Sequence, residues 1–142
     1  MLQITNLTTN KFDEAFLNKV VSLVLEKENK DGTISLVFVG PNRMRKLNYK
    51  YRKKNKITDV LSFPQTKVEG FVEPETNFLG EIVICPRAIK KLAKRENLDY
   101  QKELIRTLIH GILHLLGYNH IKKEEAEEMK KKEETYLKLI FK

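Results

Sequence analysis

The chain has 142 residues, of which 41% are hydrophobic, which is typical of one compact domain. No apolar run approaches the roughly 20 residues of a membrane-spanning helix, and residues 1–10 lack the features of a secretory signal, so we predict a cytoplasmic protein without a membrane partner. With 27 Lys and Arg against 19 Asp and Glu, the net charge of +8 attracts polyanions, among them nucleic acids and anionic membrane surfaces.

The first part of the chain predicts a strand, a helix and a second strand. Residues 2–7 alternate imperfectly between apolar and polar side chains, as a strand does. Residues 13–29 carry apolar side chains at intervals of three or four, and Asp13 provides a capping carboxylate at the start of this helix. The apolar stripe of the helix needs a sheet to cover, and the run at residues 33–39 offers a strand for that sheet.

A second helix is predicted to begin at Pro41, because proline suits the first turn of a helix. We expect Met44, Leu47 and Tyr51 to form the inward face of this helix. The rest of the helix and the loop after it hold the densest basic stretch of the sequence: Arg43, Arg45, Lys46, Lys50, Arg52, Lys53, Lys54 and Lys56.

Two further strands are predicted over residues 60–63 and 80–85, and a proline follows each of them directly. The segment between them, 65–78, has little periodicity and is predicted to be a long loop that borders a site. From Pro86 to the end the pattern is helical. We interpret the charged run at 122–134 as a solvated helical face.

Together these elements alternate without an internal repeat or a domain boundary. They are compatible with an α/β or an α+β layer architecture, and we predict the α+β class for a single domain over residues 1–142. The prediction is a small mixed sheet of about four strands covered by about five helices.

The three histidines of the chain fall within eleven residues, from His110 to His120. His110 and His114 are four residues apart, so on a helix their rings project from the same face and converge on one ion. Gly117 permits a left-handed turn that brings His120 to the same ion. Three imidazoles with water in the fourth place form an open, catalytic zinc site. We therefore predict one zinc ion, although such sites also accept nickel, copper, cobalt or iron.

Two other interpretations of this segment compete with a hydrolytic metal site. Histidines on an apolar face are often ordinary core residues, but burying three of them without partners would cost several kcal/mol. The spacing also matches the zinc-protease pattern His-Glu-x-x-His-x-x-Gly-x-x-His at every position except one. Gly111 replaces the glutamate that activates the attacking water in those proteases, so a peptidase of that mechanism would lack its general base.

Four motifs follow one another from about Leu36 onward. They are Leu47-Asn48-x-x-Tyr51-Arg52, Thr58-Asp59-Val60-Leu61-Ser62-Phe63-Pro64, Leu79-Gly80-Glu81-Ile82 and His110-Gly111-x-x-His114-x-x-Gly117-Tyr118-x-His120. In this order they resemble the bacterial YbeY family of metal-dependent endoribonucleases and rRNA maturation factors. The chain departs from the commoner pattern of that family at Glu81 and Asn119, where aspartate is usual.

The resemblance implies a single-strand-specific endoribonuclease that acts in 16S rRNA 3′-end maturation and ribosome quality control. It implies that His110, His114 and His120 hold zinc, and it places the functional arginine of the family at Arg52. The implied partners are single-stranded RNA, 16S rRNA and ribosomal subunit proteins. Asn119 replaces the usual aspartate with an amide, so a charged partner for a histidine is missing at this position. An amide can still accept a hydrogen bond.

We predict Arg52 and His114 as catalytic residues, with Arg52 as a clamp for the charge that grows on phosphate oxygens. The nearby lysines would follow the RNA backbone. Tyr51 and Phe63 could stack on bases, but they fit core packing at least as well and are not assigned to the site. Two functions remain open beside the ribonuclease: a ribosome-assembly factor with a structural metal, and a metal hydrolase of a small substrate or peptide.

Overall fold

The computed structural model describes residues 2–65 and 77–142. In chain order, the elements in these ranges are β1 (Leu2–Asn6), α1 (Glu14–Lys27), β2 (Thr33–Phe38), α2 (Pro41–Arg52), β3 (Val60–Pro64), β4 (Phe78–Ile84), α3 (Pro86–Glu96), α4 (Tyr100–Leu115) and α5 (Lys123–Ile140). The predicted α+β class, with one small mixed sheet and helices around it, is confirmed. No helix in the described ranges has both the length and the hydrophobicity to cross a membrane.

The sheet has the strand order β1-β2-β4-β3. Strand β2 is parallel to both of its neighbours, whereas β3 runs antiparallel to β4 at the edge of the sheet. Helix α4 packs against β3 and β4 and also against α1, α3 and α5. This central helix is buried along most of its length, as expected of a helix that is apolar on nearly every face.

The main core lies between one face of the sheet and the helices α1, α4 and α5. Ile34, Leu36 and Phe38 of β2 alternate with less buried residues, so one face of this strand contributes its whole apolar set to the core. The predicted cap of α1 is confirmed, because the carboxylate of Asp13 accepts a hydrogen bond from the backbone N–H of Phe16 at 3.1 Å.

Helix α2 begins at Pro41 as predicted, but its inward face differs from the prediction at one position. Met44 is fully buried and Leu47 is half-buried, whereas Tyr51 is 55% exposed. Asn48 is buried instead, and its side-chain amide donates to the backbone carbonyl of Lys56 at 2.9 Å. This bond ties the loop after α2 to the helix. The ring of Tyr51 packs edge-to-face on Phe63 of β3, with the ring centroids 4.9 Å apart, but it also borders two open cavities. The expected burial of Tyr51 is therefore wrong.

Strand β4 begins at Phe78, two residues before the predicted start, and Cys85 follows it as the buried N-cap residue of α3. The long loop predicted over 65–78 therefore ends at Asn77, and its residues 66–76 lie outside the described ranges.

The interpretation of 122–134 as a solvated face is wrong for one side of α5. Met129 and Glu133 are buried, and Tyr136 and Leu137 continue the same buried side. Their spacing of three or four residues forms a stripe that packs against α4. The density of Lys and Glu in the run conceals this stripe.

Candidate active site

The three histidines come together at the end of α4. His110 and His114 lie on one face of the last two turns of the helix, with their Nε2 atoms 3.1 Å apart. His120 lies beyond the helix, and one ligand atom from each of the three rings is within 4.8 Å of the others. The structure thus brings together all three predicted ligands, in a geometry that can hold one ion. We call these three residues the histidine wall.

Gly117 produces the turn between the second and third histidines. Its φ of +102° is in the region that favours glycine, and its N–H donates to the carbonyl of His114 at 3.1 Å. The N–H of Tyr118 then donates to the carbonyl of Leu113 at 3.0 Å. These two bonds satisfy carbonyls at the end of α4 while the chain reverses, as predicted.

Glu133 of α5 is the nearest partner of the histidine wall. Its carboxylate accepts a hydrogen bond from Nδ1 of His110 at 2.5 Å, and its side chain is only 10% exposed. A carboxylate at Nδ1 fixes the tautomer and the ring orientation, so Nε2 of His110 is left with a lone pair for an ion. Sequence reasoning missed Glu133. The signal was a carboxylate in the same stripe as Met129 and Tyr136.

Electrostatics favour the neutral form of the central histidine. Burial lowers the pKa of His114 below its ordinary value of 6.5, and the neighbouring His110 and His120 lower this pKa further. A neutral imidazole is the form that binds a metal.

A second carboxylate, Glu28 at the end of α1, holds the turn that carries His120. The hydroxyl of Tyr118 donates to Oε1 of Glu28 at 2.6 Å, and Nζ of Lys132 donates to Oε2 at 3.0 Å. The hydroxyl of Tyr136 also donates to Oε2. Burial raises the pKa of Glu28, but these three donors outweigh burial and lower the pKa below its ordinary value. We call this group the Glu28 cluster.

The histidine wall forms one side of a cleft of about 620 Å³. The same cleft is lined by Tyr51 and Arg52 from the end of α2, which we call the basic wall. It is also lined by β3 and the residues before it: Thr58, Asp59, Val60, Leu61, Ser62, Phe63 and Pro64. Arg52 is exposed, and its side chain has no hydrogen bond or ion pair with any residue that the structure describes. The structure therefore places Arg52 in the same cleft as the three histidines.

Gly111 lies where α4 touches the sheet. A Cβ atom at this position would be 2.9 Å from Cγ2 of Ile82, closer than real Cβ contacts. A glutamate there would require the buried side chain of Ile82 or the helix itself to shift. Packing thus adds to the sequence argument against a protease mechanism.

The two departures from the family pattern lie in different places. The amide oxygen of Asn119 accepts a hydrogen bond from the N–H of Ile121 at 3.3 Å, so it belongs to the local turn. Glu133, and not residue 119, provides the carboxylate at His110. Glu81 lines a separate hollow on the second face of the sheet.

Known proteins share both the sequence and the fold. A family model described as Endoribonuclease YbeY matches residues 3–140. The chain belongs to this family. The YbeY endoribonuclease of Thermodesulfovibrio yellowstonii is 42% identical, with 85% of this chain and 82% of that protein covered. The YbeY endoribonuclease of Chlorobium luteolum is 36% identical, with 99% of this chain and 98% of that protein covered.

Among solved structures, the solution structure of TM1509 from Thermotoga maritima is similar, with a TM-score of 0.69 and 28% identity over 99% of this chain and 89% of that one. The family predicted from the four motifs is thus confirmed, and with it the class of enzyme, a YbeY endoribonuclease.

Proposed function

We propose that this YbeY protein is a zinc-dependent endoribonuclease that cuts single-stranded RNA, with His110, His114 and His120 as metal ligands and Arg52 as a phosphate clamp. The observation that carries the proposal is the cleft itself. Three converging imidazoles line it together with an arginine that has no side-chain partner among the described residues.

The residues present fit a metal ion. The donor set is three imidazole nitrogens within 4.8 Å of one another, which suits zinc and other transition metals. Glu133 provides the carboxylate partner that metal-binding histidines commonly have at their second nitrogen. His120 is exposed, so the site opens toward the cleft and not into the core.

When bound, such an ion polarises a phosphoryl oxygen and lowers the pKa of a bound water toward about 7. The protein side chains supply the rest. The planar guanidinium of Arg52 is suited to donate two hydrogen bonds to non-bridging phosphate oxygens and to stabilise the charge that grows there. Lys50, Lys53, Lys54 and Lys56 extend the positive charge beside Arg52, where the neighbouring phosphates of an RNA strand would lie.

We further propose that the substrate is 16S rRNA near its 3′ end, that ribosomal subunit proteins are partners, and that the protein acts in the cytoplasm. The four motifs, their order in the chain and the net charge of +8 support this proposal. Maturation and quality control of ribosomes are the processes in which such a cleavage would be used.

The direct test measures cleavage of a 5′-labelled RNA that contains one single-stranded and one duplex region. We expect cuts in the single-stranded region, and a loss of about three orders of magnitude in His114→Ala because the ion and its contribution to the barrier are lost. Full activity in His114→Ala would contradict the proposal. RNA binding without cleavage by the metal-loaded wild type would instead support an assembly factor with a structural metal.

A further inference from the structure

A second hollow lies on the face of the sheet opposite the main core. Its volume is about 460 Å³, within the range of small-molecule sites. Most of its lining is apolar, with two charged residues, and consists of Leu7, Val37, Val39, Arg43, Leu47, Tyr51, Phe63, Glu81 and Val83. Within the described residues, the side chains of Arg43 and Glu81 have no hydrogen bond or ion pair. Their polar atoms are therefore available to a ligand.

Two aromatic rings separate this hollow from the candidate active site. Tyr51 and Phe63 line both spaces, with ring centroids 4.9 Å apart in an edge-to-face arrangement. Tyr51 is 55% exposed, and Nζ of Lys50 lies 5.2 Å from the centroid of its ring. The residue after it in the chain, Arg52, lines the same cleft as the histidine wall. A ligand in the hollow would therefore lie next to a phosphate held by Arg52.

The chemistry of the hollow fits a nucleobase. A base has two apolar faces and a polar edge with both donors and acceptors, which matches apolar walls with one carboxylate and one guanidinium. The cations at Lys50 and Arg52 suit the phosphates that flank such a base. A base that is paired and stacked in a duplex cannot reach a ring on the protein, whereas an unpaired base can stack on it.

We propose that this hollow is a base-binding subsite, in which an unpaired base beside the scissile phosphate stacks on Tyr51 with its polar edge toward Arg43 and Glu81. The inference deepens the proposed ribonuclease function and rests on it. It gives a physical source for single-strand specificity, because the base must leave its stack before its phosphate reaches Arg52.

Helix α2 offers a matched control for Tyr51. Tyr49 is on the same helix and is 57% exposed, but it lines neither the hollow nor the cleft. We would compare Tyr51→Ala, Tyr51→Phe and Tyr49→Ala, each in a full chain that also carries His114→Ala to prevent cleavage. The measurement is the Kd for a fluorescent single-stranded RNA by anisotropy, with thermal unfolding of each variant as a check on the fold.

Because stacking on an aromatic side chain contributes about 1–3 kcal/mol per base, we expect Tyr51→Ala to weaken binding by about 5- to 150-fold. Tyr51→Phe and Tyr49→Ala should stay within about twofold of the parent, since the first keeps the ring and the second is outside the subsite. We would also scan a series of RNAs that each carry one abasic nucleotide, at successive positions. At one position the missing base should weaken binding to the parent as much as Tyr51→Ala does, and the same RNA should lose no further affinity when Tyr51→Ala is added.

Equal binding by Tyr51→Ala and its parent would overturn the subsite, as would an equal loss in Tyr49→Ala. An abasic scan without a sensitive position would also overturn it. These outcomes are distinct from a failure of the proposed function, because binding is measured without turnover. If the protein bound RNA through Tyr51 but did not cut it, the subsite would be supported and the proposed nuclease function would be wrong.

Discussion

On the histidine wall of the cleft the candidate functional side chains are held by neighbours, whereas on the basic wall they extend into solvent. His110 is bonded to a buried carboxylate, and the turn before His120 is tied to Glu28. Arg52, in contrast, is exposed and has no side-chain partner among the described residues. The two walls thus combine a fixed donor set with a cation that can adapt to its ligand.

The difference follows from what each wall would bind. Metal ligands must keep their distances and angles, so their partners are buried carboxylates from other helices. Phosphate capture needs available charge, and an arginine that was already paired inside the protein would have to lose that partner first. The predictions below test whether the two walls contribute as separately as their contacts indicate.

Among variants that leave the three histidines intact, the largest effect is expected on the basic wall, from Arg52→Ala. We expect kcat to fall by about 100-fold, as for removal of a preorganised charge at a developing anion, with metal content unchanged. Arg52→Lys should recover only part of the rate, because an ammonium lacks the planar fork. The measurements are single-turnover cleavage and metal analysis of the same samples. A loss of metal in Arg52→Ala would show that the walls are not independent.

On the histidine wall, Glu133→Gln should weaken metal binding by about 10- to 100-fold, because a neutral amide is a poorer partner for His110. The control is Glu134→Gln, since Glu134 is the next residue and pairs with Arg106 instead. Metal affinity is measured by competition with a chelator. Similar affinities in the two variants would remove Glu133 from the site.

A smaller effect is expected in the Glu28 cluster. Tyr118→Phe and Tyr136→Phe each remove one hydroxyl from the carboxylate of Glu28, so each should lower the free energy of unfolding by about 1 kcal/mol. Only Tyr118 is on the turn that carries His120. We therefore expect a several-fold loss of metal affinity in Tyr118→Phe alone. Equal metal affinities in Tyr118→Phe and Tyr136→Phe would mean that the cluster has only a structural role.

The smallest effect is a pH dependence of stability. The donors around Glu28 lower its pKa in the folded protein below the ordinary value of 4.5. The contribution of Glu28 to the free energy of unfolding is therefore fully present above that pH. The contribution is lost as the pH falls through the lowered value. Glu28→Gln should therefore unfold with a weaker pH dependence than the wild type on the acidic side of about pH 6 in denaturant titrations. Parallel curves would contradict this assignment.

How far the sequence predicted these features depends on how local they are. The histidine wall was predictable because His110 and His114 are one helical turn apart and Gly117 marks the turn before His120. Glu133 was not, because its role requires α5 to pack on α4, and a run of Lys and Glu masks its buried stripe. The Glu28 cluster joins residues 90 to 108 positions apart, a separation that no local pattern encodes.

The helical period also misplaced Tyr51. The spacing places Tyr51 on the same side of α2 as Met44, but it does not report how much of the side chain the opposing surface covers. The ring contacts Phe63 of β3, but Tyr51 is 55% exposed because it borders two cavities.

The most direct test of the central claim is a zinc titration of the metal-stripped protein in which bound metal and cleavage of single-stranded RNA are measured in the same samples. We expect cleavage to rise in proportion to occupancy, to saturate at about one ion per chain, and to be absent in His110→Ala and His120→Ala at the same zinc concentration. Full cleavage by the stripped wild type, or by either variant without bound metal, would contradict the claim that these three histidines hold a catalytic ion.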